Sequence, residues 1–225
     1  MKLKIIGFNS EIYFNDNAVI ILEVRDTNCF RHMIETINAI INGEESNEIF
    51  LLDDENNQIN MSKEMYMVID LFNIDFNSKK ILNKLYDKIA NDIEKMEDIT
   101  FKSMIVNLRN YMIQEINELP FEFTMKDEPN IIDILKIYNL KIDSLNYQNI
   151  IEKVEFLIDI LATLKISNIL VIPNLKIYLK EELVELYKYS LYNGIKLFLI
   201  EKNAGEKLQY EQKLLIDENF DDIVI

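Results

Sequence analysis

Residues 168–200, NILVIPNLKIYLKEELVELYKYSLYNGIKLFLI, decide the fold. Two short apolar runs, 168–172 (NILVI) and 195–200 (IKLFLI), have the length and β-branched content of strands buried on both faces. Between them, residues 179–191 carry apolar side chains at the three- and four-residue spacing of a helix, and Asn193-Gly194 supplies its stop. Strand, helix and strand in that order make a crossover unit with parallel strands.

The same pattern stands at the other end of the chain. Residues 3–8 (LKIIGF) and 18–24 (AVIILEV) read as strands. Asp26 or Thr27 caps a helix whose apolar positions are Phe30, Met33, Ile34, Ile37, Ile40 and Ile41, and Asn42-Gly43 ends it. Residues 48–53 (EIFLLD) read as the next strand, so 18–53 is expected to form a second crossover unit. Residues 214–225 are expected to add an edge strand. From 78 to about 165 the period is helical: Phe101, Ile105, Leu108, Met112, Ile116 and Leu119, then Val154, Leu157, Leu161 and Leu164, with Pro120 and Pro129 between the two runs. The expectation is an α/β protein. A mainly parallel sheet forms a discontinuous head, residues 1–77 and 166–225, and residues 78–165 are inserted into it as an elongated α-helical leg.

Composition narrows the function. In 225 residues, 49% hydrophobic content is ample for a buried core. One cysteine, Cys29, excludes an internal disulfide framework, and no apolar run approaches the roughly 20 residues that span a bilayer. With no signal-like segment after Met1, the expected setting is the cytoplasm, with no membrane partner. The formal charge of −15 opposes phosphate binding on average. It is distributed unevenly, because residues 43–76 hold nine acids against Lys63 alone, whereas residues 77–88 hold Lys79, Lys80, Lys84 and Lys88 against Asp87 alone. On a helix Lys80, Lys84 and Lys88 form one stripe, which can follow a phosphate backbone without reading bases.

Other motifs carry less. Residues 49–55 (IFLLDDE) look like the acid-ended strand that holds Mg²⁺ in P-loop ATPases, but no G-x-x-x-x-G-K-[ST] loop is present. After the strand 18–24 the chain reads Arg25-Asp26-Thr27-Asn28-Cys29, without glycine. Glu118, Glu122, Asp127, Glu128 and Asp133 flank a proline-bounded break, where carboxylates can converge on a hard cation such as Ca²⁺, although the spacing is not that of an EF-hand. His32 and Cys29 have no further soft ligand in sequence reach, and both read as structural.

Residues 51–54 (LLDD), 65–70 (MYMVID) and 71–78 (LFNIDFNS) leading into a lysine-bearing helix carry a family resemblance. So do 131–142 (IIDILKIYNLKI), 195–201 (IKLFLIE) and the closing 214–225 (LLIDENFDDIVI). In order, spacing and length the chain resembles the CRISPR-associated adaptation accessory proteins of type II-A systems. The resemblance implies a P-loop-ATPase-like head outline without a phosphate loop, no nucleotide and no catalysis. It implies a homotetrameric ring that binds double-stranded DNA ends without sequence preference. Structural Ca²⁺ stabilises the ring, whose partners are the spacer integrase and the RNA-guided effector nuclease. It also implies that Asp127, Glu128 and Asp133, with Glu118 and Glu122, hold Ca²⁺, and that Lys79, Lys80, Lys84 and Lys88 hold DNA, with Lys63, Lys126, Arg25 and Arg31 as additions. Two other readings of the residues stay open: a metal-dependent nucleotide- or DNA-processing enzyme built on Asp53, Asp54, Asp217 and Asp221, and a protein-interaction scaffold.

Overall fold

A computed structural model describes residues 1–95, 99–124, 130–143, 147 and 149–225. The chain divides into two compact units, Met1–Phe76 with Ser144–Ile225, and Asn77–Asp143.

The first unit is α/β. In chain order it contains β1 (Lys2–Ile5), β2 (Ile12–Tyr13), β3 (Val19–Val24), α1 (Thr27–Ile41), β4 (Ile49–Leu52), β5 (Gln58–Ile59), α2 (Met61–Glu64) and β6 (Met65–Met67). The second unit supplies α3 (Lys79–Lys95), α4 (Ile99–Asn117) and α5 (Ile131–Ile137). The chain returns to the first unit with α6 (Ile150–Leu164), β7 (Ile169–Pro173), α7 (Leu175–Tyr178), α8 (Leu183–Tyr192), β8 (Lys196–Glu201), β9 (Glu211–Ile216) and β10 (Asp222–Val224).

Six strands form the main sheet in the order β10-β9-β3-β8-β7-β6. All neighbours are parallel except β10, which runs antiparallel on the edge beside β9. Strand β3 is buried along its whole length, as a central strand covered on both faces must be. One face, carrying Ile20, Leu22, Val24, Phe198, Ile200, Leu214 and Ile216, packs into a core shared with Met33 and Ile37 of α1 and with Leu3, Ile49 and Leu51 of the smaller sheet. The alternate residues turn to the other face, where Tyr187 of α8 reaches Glu211 of β9.

Helices α1 and α8 end as their Asn-Gly pairs foretell. Gly43 and Gly194 have φ of +98° and +72°, a region closed to most side chains. Each makes a Schellman closure: the Glu44 N–H reaches Ala39 O at 3.0 Å, and the Ile195 N–H reaches Ser190 O at 3.0 Å.

Four expectations change. Strand β4 does not follow α1 into the parallel sheet. It pairs antiparallel with β1 in a four-stranded sheet, β2-β1-β4-β5, and the parallel strand after α1 is β6. The reason is one-sided burial: in β4 only Ile49 and Leu51 are buried, which suits an antiparallel sheet open on one face. The apolar run IFLLD conceals that alternation. The expected helix 179–191 starts only at Leu183, with Leu179 in extended backbone at the end of the short α7. Residues 214–225 do add an edge strand, β10, but their start completes β9, which lies inside the sheet. Finally, α6 belongs to the first unit, not to a leg ending at 165. It buries Val154, Leu157, Ile158, Ile160 and Leu161, and its Asp159 accepts a 2.6 Å hydrogen bond from Tyr189 of α8. Three-four spacing identifies an apolar helix face without naming what covers it.

Candidate nucleic-acid interface

Helix α3 has one fixed face. Ile81, Tyr86 and Ala90 are buried, and the Tyr86 hydroxyl donates to Leu140 O at 2.8 Å. Asn77, just before the helix, clamps the Ile142 backbone through hydrogen bonds of 2.8 and 3.0 Å. With that face committed, Lys79, Lys84 and Lys88 are exposed and Lys80 is half-buried. Burial, followed by the charge of Lys84, lowers the Lys80 pKa, so Lys80 holds its proton less firmly than an open lysine. Lys88 is tied to Asp92 at 2.7 Å. Among the described residues, no carboxylate lies within ion-pair reach of Lys79 or Lys84.

The first turn of α3 contains no acid. Lysines there oppose the helix macrodipole, at a cost of about 0.3–1 kcal/mol each in exposed positions. The arrangement costs the helix stability and concentrates positive potential at one end. That potential favours phosphate oxygens.

The remaining sequence-derived cations are less available. Arg25 Nε lies 3.3 Å from Glu23 with its side chain half exposed. Arg31 sits 3.9 Å from Glu35, both of them exposed. Lys63 is exposed on α2. These three belong to the first unit and the α3 lysines to the second. Lys126 lies outside the described residues.

Of the acidic set, Glu118 and Glu122 are exposed, and Asp127 and Glu128 lie outside the described residues. Asp133 serves the fold. Its N–H donates to the Asn130 side chain at 2.7 Å and its carboxylate accepts the Asn130 N–H at 3.3 Å, which together make a capping box for α5. Among the described residues, no three His, Cys, Asp or Glu side chains gather as a metal site would require. Asn130→Ala is expected to cost about 1 kcal/mol locally, read as faster amide exchange across α5.

Two acids of the enzyme reading, Asp53 and Asp217, serve as turn formers, and Asp54 pairs with the N-terminal amine at 2.6 Å. Asp53 accepts the N–H groups of Glu55 and Asn57, and Asp217 accepts those of Asn219 and Asp221. They terminate β4 and β9, which lie in different sheets. At the start of α1, Asp26 accepts the Cys29 N–H at 2.8 Å, placing a carboxylate where a phosphate loop would hold phosphate. His32 pairs with Glu48 at 2.6 Å.

The sequence reading missed a buried charged cluster on the main sheet. Lys213 Nζ lies 2.5 Å from Glu23, and Lys176 Nζ lies 2.7 Å from Glu211, which also accepts the Tyr187 hydroxyl at 2.8 Å. Burial pushes the Glu23 carboxyl up, but hydrogen bonds from Lys213 and Arg25 outweigh it and hold the group below the usual carboxylate range. Charged residues inside apolar runs, Glu23 in AVIILEV and Lys213 in EQKLLI, were the available signal.

Two comparisons bear on this arrangement. The family model described as CRISPR-associated protein (Cas_Csn2) matches residues 42–220. Over 180 residues the chain is 29% identical to the CRISPR-associated protein Csn2 of Streptococcus agalactiae, covering 75% of this chain and 78% of that protein. Because the family match runs from the end of α1 to the turn before β10, through the helical unit and most of the main sheet, the chain belongs to the Cas_Csn2 family of CRISPR-associated proteins.

Proposed function

We propose that the chain is a non-catalytic, sequence-independent binder of double-stranded DNA ends, working as a homotetrameric ring in spacer acquisition by a type II-A CRISPR system. The observation that carries this reading is the pair of exposed lysines, Lys79 and Lys84, without acidic partners among the described residues. Ammonium groups attract phosphate as point charges and carry no base code, so binding of this kind is indifferent to sequence.

Helix α4 supports self-assembly. None of its described side chains is buried, and it exposes Met104, Leu108, Tyr111 and Met112. An apolar surface of that extent is better covered by protein than by water. Repetition of the α3 lysines around a closed assembly adds modest contacts together and offsets the acidity of each chain. Structural Ca²⁺ belongs to the same proposal, held by the segment containing Glu118, Glu122, Asp127, Glu128 and Asp133. The spacer integrase and the RNA-guided effector nuclease are its proposed partners.

The test compares linear and covalently closed duplexes of one sequence, titrated with protein in Ca²⁺ at increasing salt. Linear duplex is expected to be retained with an affinity that falls steeply with salt, and closed circles are expected to wash away. Equal retention of both forms would overturn threading from an end. Absence of retention at low salt would overturn DNA binding itself, and turnover of ATP or DNA with Mg²⁺ or Mn²⁺ would overturn the non-catalytic reading.

A further inference from the structure

Strands β8 and β9 are both parallel to β3 and lie on either side of it. The chain leaving β8 must therefore return to the opposite end of the sheet before starting β9. It does so through residues 202–210, KNAGEKLQY, which contain no helix. This strap has little apolar anchorage, since Ala204 is buried and Leu208 half-buried while Asn203, Gly205, Glu206, Lys207 and Gln209 are exposed.

Polar contacts from beneath hold it instead. Lys213 Nζ donates to Gly205 O at 3.2 Å and Lys176 Nζ to Glu206 O at 3.3 Å. The Leu208 N–H donates to Glu211 at 2.9 Å, and the Lys202 N–H donates to Asn174 at 3.4 Å. Both lysines that grip the strap are also the counter-charges of buried carboxylates, Lys213 for Glu23 and Lys176 for Glu211.

A third carboxylate is set among them. Glu201, the last residue of β8, is fully buried and neighbours Glu23 across the β3–β8 register. Its Oε1 accepts the Lys176 N–H at 3.0 Å, and its Oε2 has no hydrogen-bond partner. The groups around it are Lys176 on α7, Tyr187 on α8, Glu211 and Lys213 on β9, Glu23 and Arg25 on and after β3, and Lys202 and Glu206 on the strap. The two buried lysines balance Glu23 and Glu211. Arg25 also contacts Glu23, but its side chain is half exposed, so water screens its charge. An ionised Glu201 thus leaves one buried negative charge in excess, whereas a protonated one leaves the cluster balanced.

We propose that Glu201 is the proton-operated latch of the 202–210 strap, closed when the carboxyl is neutral and released when it ionises. Release is local because the strap is the cover held mainly by charge, and lifting it returns water to the excess carboxylate. An open cavity of about 450 Å³ already lies between strap and helices, lined by Lys176, Leu179, Lys180, Leu183, Ala204 and Gly205, and release widens it. Burial raises the Glu201 pKa to about 7, against the lowering effect of the Lys176 and Leu175 N–H groups and the Lys176 charge, which puts the transition near neutrality.

The experiment is amide hydrogen exchange of the whole protein from pH 4 to 9, corrected for intrinsic exchange rates. Protection of the strap amides is expected to fall by up to about tenfold per pH unit between about pH 4.5 and 7, the slope of one released proton, and to level off above pH 7. Strap amides should be far less protected than those of β3 and β8, which open only with the whole sheet. Glu201→Gln keeps an acceptor for the Lys176 N–H but cannot ionise, and its strap protection should be independent of pH. A strap whose protection does not change with pH in the unaltered protein would overturn the proposal, and so would an unchanged slope in Glu201→Gln.

Discussion

Charge reversal at both Lys79 and Lys84 is expected to lower the affinity for linear duplex by at least about a hundredfold near physiological salt, since every phosphate left without its lysine keeps the counterions whose release drives binding. Both side chains are exposed on the first turns of α3, whose packing rests on Ile81, Tyr86 and Ala90. Replacement should therefore leave the helix packed, and acids near its N-terminus suit the macrodipole better than lysines do. The double variant should match the unaltered protein in oligomeric size and melt at the same temperature or slightly higher. The slope of log affinity against log salt should also become shallower. Reversal at Lys88 should have less effect, because its charge is already shared with Asp92. Unchanged binding by the Lys79 and Lys84 variant, with the assembly intact, would move the interface away from α3.

Lys213→Met is expected to destabilise the α/β unit by about 3–5 kcal/mol, the usual cost of leaving one member of a buried ion pair alone. Against a total stability of about 5–15 kcal/mol, such a loss is large. Lys213 and Glu23 are almost fully buried, with side-chain exposures of 9% and 4%. Removing the lysine strands the carboxylate beneath the strap, with the half-exposed Arg25 as its remaining cationic contact among the described residues. Lys213→Met combined with Glu23→Gln removes the stranded charge, and most of the loss should be recovered in urea unfolding. A double variant no more stable than the single one would show that Lys213 contributes through packing and its bond to Gly205.

Two of the buried carboxylates, Glu23 and Glu201, give opposite dependences on pH. The Glu23 pKa is depressed in the folded state, so its stabilising contribution is present above its ordinary 4.5 and is lost as pH falls through the lower folded value. The Glu201 pKa is raised from 4.5 to about 7, so the native state binds the extra proton between those values, and stability falls as pH rises through that window. Glu201→Gln should remove the loss between about pH 4.5 and 7 and leave the acid limb unchanged.

How much of this could be read from the chain differs from element to element. The β7–α8–β8 crossover was legible because its strands are buried on both faces and its helix stop is an Asn-Gly pair, both local properties. Strand β4 was not, since an unbroken apolar run hides whether one face or both are covered. For α3, the sequence determined the lysine stripe and its helical spacing. It did not show that Lys80 is half-buried, that Lys88 is neutralised by Asp92, or that Lys79 and Lys84 remain open.

The sequence by itself determined the α/β class, the positions of the helix stops, the absence of a phosphate loop and the local reversal of charge at residues 77–88. Each follows from residue type and from spacing within a few turns of chain. Only the tertiary structure decided which strands pair, which unit α6 joins and which charges meet. Glu23 is far in sequence from Glu201, Glu211 and Lys213, and they meet because parallel pairing of β3, β8 and β9 sets them on one face of the sheet, which Lys176 approaches from α7. Register at that distance comes from the summed burial of whole strands, and no short stretch of sequence contains it.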